Sequence, residues 1–295
     1  MMTAQTNHPT PTLAFSTNAF TRYSLTDALN AIADADFSAV EILADVPHAF
    51  VSTLTESDLR QIRQTLTSRK LAISNVNANC TFGYWKDAPP EAYFEPSLIS
   101  PNDVHRADRI NLIKRTIEVA HDLGAQNISI TSGRCTGAID PEKAALRLSS
   151  ALSELLDHAD KHNINVGIEL EPGVYLEFVD ELRHWISKLN HPRFGANLDI
   201  GHSVVNGERI DESILTLAGQ IWNLHVEDLP GRKHYHSIPG DGTFDWQQLK
   251  RALAAVDYDR FVTVELYTMT DDPHTDARRS FEFLTRVFTG ERSAK

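Results

Sequence analysis

The chain has 295 residues, 41% of them hydrophobic and 23% charged, which excludes a disordered or fibrous polymer. Lys and Arg number 28 against 40 Asp and Glu, and the resulting net charge of −12 is a poor basis for binding nucleic acid or an anionic membrane. No apolar run approaches the ~18 residues of a membrane-spanning helix, and the polar stretch Met1–Pro11 lacks the apolar centre of a secretory signal. The two cysteines, Cys80 and Cys135, lie 55 positions apart and outside any CxxC pair, which favours free thiols in a reducing, cytoplasmic setting over a disulfide framework or a structural zinc site.

Residues 1–11 read as a disordered tail and 12–295 as a single domain. From there short β-branched runs alternate with segments of 3.6-residue periodicity. A strand at Leu13–Ser16 precedes a helix carrying Leu25, Ala28, Leu29 and Ile32, opened by Ser24 with Asp27 as a capping pair. Ala39–Leu43 precedes the Leu59, Ile62, Leu66 stripe. Ala72–Asn77 is followed by a long connection, Cys80 to Asp103, that holds Phe82, Tyr84, Trp85 and Phe94 and reads as a lid or pocket wall. Trp85 is the candidate substrate contact in that segment.

Ile110, Ile113, Ile117 and Ala120 form the third helix, ending near Gly124, before the strand Asn127–Thr131. Asp140 caps and Pro141 opens the fourth helix, striped by Leu148, Leu152 and Leu155. Val166–Glu171, the Leu182–Leu189 helix, Gly195–Ile200, a short helix at Ile214–Leu217, Ile221–Val226, the Leu249–Val256 helix, Phe261–Leu266 and the Ala277–Phe288 helix complete the series. Continuous apolar strands mark a sheet covered on both faces. Eight βα units in ~250 residues predict an α/β fold, a single (β/α)8 TIM barrel. An open doubly wound sheet is the alternative, but no GxGxxG loop follows the first strand.

Active sites of such barrels sit where the strands end. Four consecutive strands end in an ionisable group: Glu171, Asp199, His225 and Glu265. Adjacent barrel strands lie about 4.8 Å apart, so four ends can converge on one point. Three carboxylates clustered without a cation raise one another's pKa, and a divalent ion relieves that. Three carboxylates and an imidazole suit Mn²⁺, Co²⁺ or Mg²⁺ and can accept Zn²⁺; Mn²⁺ is the ion expected here. Glu169, two residues before Glu171 and on the same side of its strand, competes for the ligand position; Glu171 is preferred because it precedes the Pro172 turn. Glu41 could reach the substrate or pair with a basic neighbour. His48 reads as a surface-loop residue, and His234 and His236 flank the mouth, His236 as a candidate substrate contact.

With these residues the chain resembles the xylose isomerase-like TIM-barrel superfamily. The likeness is to its sugar phosphate isomerase/epimerase group, which includes D-tagatose 3-epimerase-like and hydroxypyruvate isomerase-like enzymes. The resemblance implies one divalent metal held by Glu171, Asp199, His225 and Glu265. It also implies substrate contacts from Glu177, six residues after Glu171, and from His202 in Asp199-Ile-Gly-His202. The family arginine six residues after the ligand histidine falls on Gly231; Arg232 is one position late. The His236–Trp246 segment resembles the loop before the seventh helix, with Asp245 as its cap.

The implied activity is isomerisation or epimerisation of a keto-sugar or polyol through an enediolate, with Glu171 and Glu265 as the acid/base pair. Expected partners are a small sugar substrate and, as in related enzymes, a second copy of the chain. Three rival readings use the same barrel. A metal-dependent dehydratase or β-eliminating lyase shares the chemistry up to loss of the leaving group. An abasic-site endonuclease needs histidines at the ends of strands three and four, where this chain has Asn75–Asn79 and Ser129–Gly133. The third is a non-catalytic sugar-binding barrel.

Overall fold

A computed structural model describes residues 9–88, 94–135 and 137–289. Most of the expected tail, residues 1–8, lies outside them. Eight parallel strands close into a barrel in sequence order: β1 (Thr12–Ser16), β2 (Ala39–Leu43), β3 (Ala72–Asn77), β4 (Asn127–Thr131), β5 (Asn165–Glu169), β6 (Phe194–Asp199), β7 (Ile221–Val226) and β8 (Phe261–Val264). The seam closes through β1 and β8, where Thr12 pairs with Phe261 and Phe15 with Val264. Around them run α1 (Leu25–Asp34), α2 (Glu56–Arg69), α3 (Asp103–Leu123), α4 (Pro141–His162), α5 (Val179–Leu189), α6 (Ile200–Val205), α7 (Ile210–Thr216), α8 (Trp246–Ala255) and α9 (Pro273–Thr289). This is the single (β/α)8 barrel expected from the alternation. Among the described residues no helix is long and apolar enough to cross a membrane.

The helix starts follow from local chemistry. Ser24 accepts the Asp27 N–H, Thr55 and Asp58 cap reciprocally, and Asp140 accepts the N–H groups of Glu142 and Lys143 ahead of α4. Strands β5 and β8 each end two residues earlier than the sequence suggests, at Glu169 and Val264. Helix α6 was not anticipated, because six residues are too few to show a period. It begins directly at the end of β6, with Asp199 accepting the His202 N–H at 2.9 Å.

The apolar core lies mainly between the barrel wall and the helices. Inside the barrel a hydrogen-bonded polar network replaces the usual branched side chains. Thr263 bonds Ser74 and Asn223, Asn223 bonds Asn197, and Asn197 donates to Glu169 at 3.0 Å. On the other side Asn75 bonds Ser129 and Glu41. This belt forms the floor of the site described next.

Candidate metal centre and active site

The belt ends upward in acids and imidazoles. His225, fully buried on β7, lies between two carboxylates: Nε2 is 2.6 Å from Glu41 and Nδ1 is 2.7 Å from Glu169. Glu41 accepts in addition from Ser16 Oγ at 2.8 Å and Asn75 Nδ2 at 2.7 Å. Burial alone would raise the Glu41 pKa, but His225 and these donors outweigh it and lower it. Burial likewise works against the His225 charge, yet Glu41, Glu265 and Glu169 carry its pKa well above the usual value.

Glu169, Asp199, His225 and Glu265 each bring one ligand atom within 4.8 Å of the others, and all four are buried. Three of the four expected strand-end residues are thus brought together. The strand-five member of the group is Glu169 rather than Glu171. Both side chains face inward, but Glu169 pairs with Asn197 and brings its Oε1 to 2.7 Å from His225 Nδ1, whereas Glu171 stands beyond the last rung of β5. There its Oε2 lies 3.6 Å from His202 Nε2. Burial pushes the Glu171 carboxyl up to about 8, with Glu169 and Asp199 adding to the rise and His202 opposing it. Burial, Glu169, Glu41 and Asp199 lift Glu265 well above the ordinary range against the pull of His225. Asp199 goes the other way: burial is outweighed by His202, His236 and His225, which hold it near 2.

The donor set fits a divalent cation. Acids forced together in a dry interior, with one imidazole aimed at them, are what such an ion relieves. The carboxylate on the far nitrogen of His225 fixes the ring as metal-ligating histidines are usually fixed.

Over this centre opens a cavity of about 410 Å³, lined by Asn18, Asp45, Asn77, Asn79, Thr81, Phe82, Phe94, Glu169, Glu171, Glu265 and Tyr267, among others, with no Lys or Arg among the described residues of its wall. Asn18 donates to Glu265 at 2.9 Å and Asn79 to Glu169 at 2.8 Å. Asp45 anchors the long loop after β3 by accepting the N–H groups of Thr81, Phe82 and Gly83. The asparagines and Asp45 were missed in the sequence, where neutral amides at strand ends carry no signal of their own.

The other expected substrate contacts divide. His202 and His236 are buried beside the centre, with ring centroids 5.5 Å apart. His234 stacks edge-on against His202, its pKa lowered by burial and by that neighbour. Trp85 is not part of the cavity wall; it donates to the Glu95 carbonyl and packs on Tyr84 and His105. Phe82 and Phe94 take the place expected for it. Arg232 is exposed and donates to the Val205 carbonyl at the end of α6, because the one-residue offset turns it off the site. Glu177, expected as a substrate contact, is not among the residues that line the cavity. The Glu177 carbonyl instead accepts from Asn206. His48 is half-buried against Thr17 and Phe20 rather than at the surface.

Residues 29–287 match the family model described as xylose isomerase-like TIM barrel. The chain belongs to this family. It is 26% identical over 268 residues to the fructoselysine 3-epimerase of Shigella flexneri, covering 88% of this chain and 92% of that enzyme. Among solved structures of this fold, a D-tagatose 3-epimerase-like protein superimposes with a TM-score of 0.79 at 20% identity, over 94% of this chain and 97% of the other. The IOLI protein, solved with a bound zinc atom, superimposes at 0.75 with 17% identity, over 96% of this chain and 99% of that one.

Proposed function

We propose that this barrel is a divalent-metal-dependent epimerase or isomerase of a small, unphosphorylated keto-sugar. The observation that carries the reading is the buried group of Glu169, Asp199, His225 and Glu265 at the floor of a cavity with no Lys or Arg among its described lining residues. One relative is by name a 3-epimerase of fructoselysine. A zinc atom in the IOLI protein supports metal binding on the same fold.

Glu169, Asp199, His225 and Glu265 would hold the ion, with Mn²⁺ the best match to the donors. Such an ion polarises a carbonyl and offsets charge as the neighbouring carbon loses its proton. The remaining chemistry belongs to the chain. Glu171 is outside the ligand group, faces the cavity, and has a pKa near neutrality, which suits a group that takes and returns a proton. Glu265, across the cavity and steadied by Asn18, serves the opposite face. His202 steadies the Glu171 carboxylate. Asn77, Asn79 and Thr81 offer neutral hydrogen bonds to sugar hydroxyls, and Phe82, Phe94 and Tyr267 offer apolar faces.

The test is exchange in D₂O with unphosphorylated ketoses, followed by NMR. The reading expects deuterium at the carbon beside the ketone, loss of exchange after chelation, and its return with Mn²⁺. Exchange that survives complete metal removal would overturn it. Elimination of a β-substituent without epimer formation would select the lyase alternative.

A further inference from the structure

The opposite end of the barrel carries a cluster that the proposed reaction does not use. Helices α3 and α4 pack side by side, and their residues face one another turn by turn. Lys114 pairs with Glu154 at 2.6 Å. One turn on, Glu118 Oε1 lies 3.1 Å from His158 Nε2. One turn further come His121 and His162, in the last turns of their helices. His158 and His162 are four apart and share one face of α4, while Glu118 and His121 are three apart and share one face of α3. The rings of His158 and His162 lie 4.8 Å apart, and those of His121 and His162 5.5 Å apart. Glu118, His158 and His162 each bring one ligand atom within 4.8 Å of the others. Strands β4 and β5 begin just past these helix ends, so the cluster lies away from the acids at the strand C-termini.

Two details distinguish this cluster from a plain ion pair. His158 Nε2 is buried without a hydrogen-bond partner, although Glu118 Oε1 is only 3.1 Å away. The carboxylate therefore stands beside the axis of that nitrogen and not on it, and a proton on Nε2 does not join the two. Two ligands of one tetrahedral ion, each ~2.0–2.1 Å from it, lie about 3.3 Å apart, and each is aimed at the ion instead of at the other. The Glu118–His158 pair has close to that separation and that divergence. His121 is the second detail. Its Nδ1 is 2.9 Å from the His162 carbonyl, which only accepts, so Nδ1 carries the hydrogen and Nε2 offers a lone pair. A metal-ligating imidazole is usually held in this way. Charge agrees with the geometry. Among the described residues no Lys or Arg is paired with Glu118, whereas the preceding turn is neutralised by Lys114 and Glu154. The negative ends of two helix dipoles also meet here, and they favour a cation.

We infer that Glu118, His158 and His162 bind a transition-series divalent cation, with His121 beside the remaining coordination position, and that this ion clamps the ends of α3 and α4 together. One carboxylate with imidazoles selects Zn²⁺, Co²⁺ or Ni²⁺ over Mg²⁺ or Ca²⁺, and Zn²⁺ suits a tetrahedral set of three side chains with one further position. The clamp is independent of the keto-sugar reading, since none of its residues lines the cavity.

The experiment uses Zn²⁺ itself. Protein stripped with chelator is titrated with Zn²⁺ and the bound ions are counted by native mass spectrometry and equilibrium dialysis, folding being checked by circular dichroism. His162→Ala is expected to take one Zn²⁺ fewer than wild type and, reloaded with Mn²⁺, to keep the exchange in D₂O described above. Glu265→Gln is expected to lose zinc from the barrel and keep this ion. In Glu265→Gln, Zn²⁺ at about a hundredfold excess over its Kd should raise Tm by about 5–10 °C, and adding His162→Ala should abolish the rise. Anomalous scattering at the zinc edge from wild-type crystals, which needs no variant, should place an ion between Glu118, His158 and His162. An equal zinc count in wild type and His162→Ala, or no anomalous peak at Glu118, would overturn the inference. If all bound zinc is lost in Glu265→Gln and none in His162→Ala, the proposed function stands and the clamp falls; the reverse result keeps the clamp and removes the barrel ion.

Discussion

Glu41→Gln tests whether the proposed centre is organised from beneath. Glu41 touches no substrate; it accepts from Ser16, Asn75 and His225 and has no exposed surface. Glutamine keeps the shape. Its oxygen can still accept from Asn75 and His225, and its amide can donate to Ser16 once that hydroxyl turns, so no buried group is stranded. What goes is the charge on the far side of the His225 ring. A hydrogen bond to a charged group contributes about 1.5–3 kcal/mol. Partners of metal-ligating histidines change metal affinity about 10–100-fold, or ~1.4–2.7 kcal/mol, and the two estimates agree. Competition with a chelating dye should therefore show Mn²⁺ binding weakened about 10–100-fold in Glu41→Gln. Ser16→Ala, which removes one neutral donor, should weaken it less than about tenfold. Glu41→Leu is the wrong probe, since stranding His225 and Asn75 costs about 3–5 kcal/mol of fold stability. If Glu41→Gln binds within about threefold of wild type, His225 does not ligate through the nitrogen that Glu41 leaves free, and the reasoning fails.

Other consequences can be checked separately. Asp228 accepts from Leu229, Gly240, Phe244 and Trp246 and so shapes the loop that carries His234 and His236; Asp228→Asn should cost about 1–3 kcal/mol in urea unfolding and expose residues 229–245 to protease, and unchanged stability would refute that role. Cys80 is buried beside Asp45, and burial first, then Asp45, pushes its thiol up to about 12, whereas Cys135 is exposed. One thiol should therefore react with a disulfide reagent at pH 8 in the native state, and none in Cys135→Ser. Burial lowers the His48 pKa, partly offset by backbone carbonyls of Phe20 and Tyr23. The unfolded chain then takes up a proton near pH 6.5 that the native one does not, so this contribution is whole above that pH and falls below it, by at most ~1.4 kcal/mol per pH unit. In His48→Gln the loss of stability between pH 7.5 and 5.5 should be smaller; an equal loss would show that His48 titrates freely.

The barrel is readable in the sequence because each strand must be apolar on both faces while each helix shows only one stripe. Val166 and Ile168, or Leu182, Trp185 and Ile186, reveal their element without any neighbour in view. Depth within the barrel is not readable. Glu169 and Glu171 differ by one rung, and Pro172 made the upper one look decisive, but the His225 ring, held on its far nitrogen by Glu41, turns Nδ1 to Glu169 and brings that residue into the group. Contacts between strands far apart in sequence have no local signature, so the partner of Glu41 could not be named in advance. Glu227, fully buried one residue past β7 and not singled out from the sequence, did have a signal: two residues after an inward histidine, an acid on a strand end also faces inward.

The polar belt explains why these acids remain where they are. A barrel of this size is normally filled with branched apolar side chains, and exchanging a buried ion pair for such residues is often neutral or stabilising. Here Ser74, Thr263, Asn223 and Asn197 form one run that ends on Glu169, and Asn75 joins Ser129 to Glu41. The network fixes the orientation of the His225 ring from both sides before any ion arrives. Among the described residues of this belt only Asn75 Oδ1 is buried without a partner, so the belt holds Glu41 and Glu169, and through them the imidazole, in the geometry that a metal-ligating histidine needs.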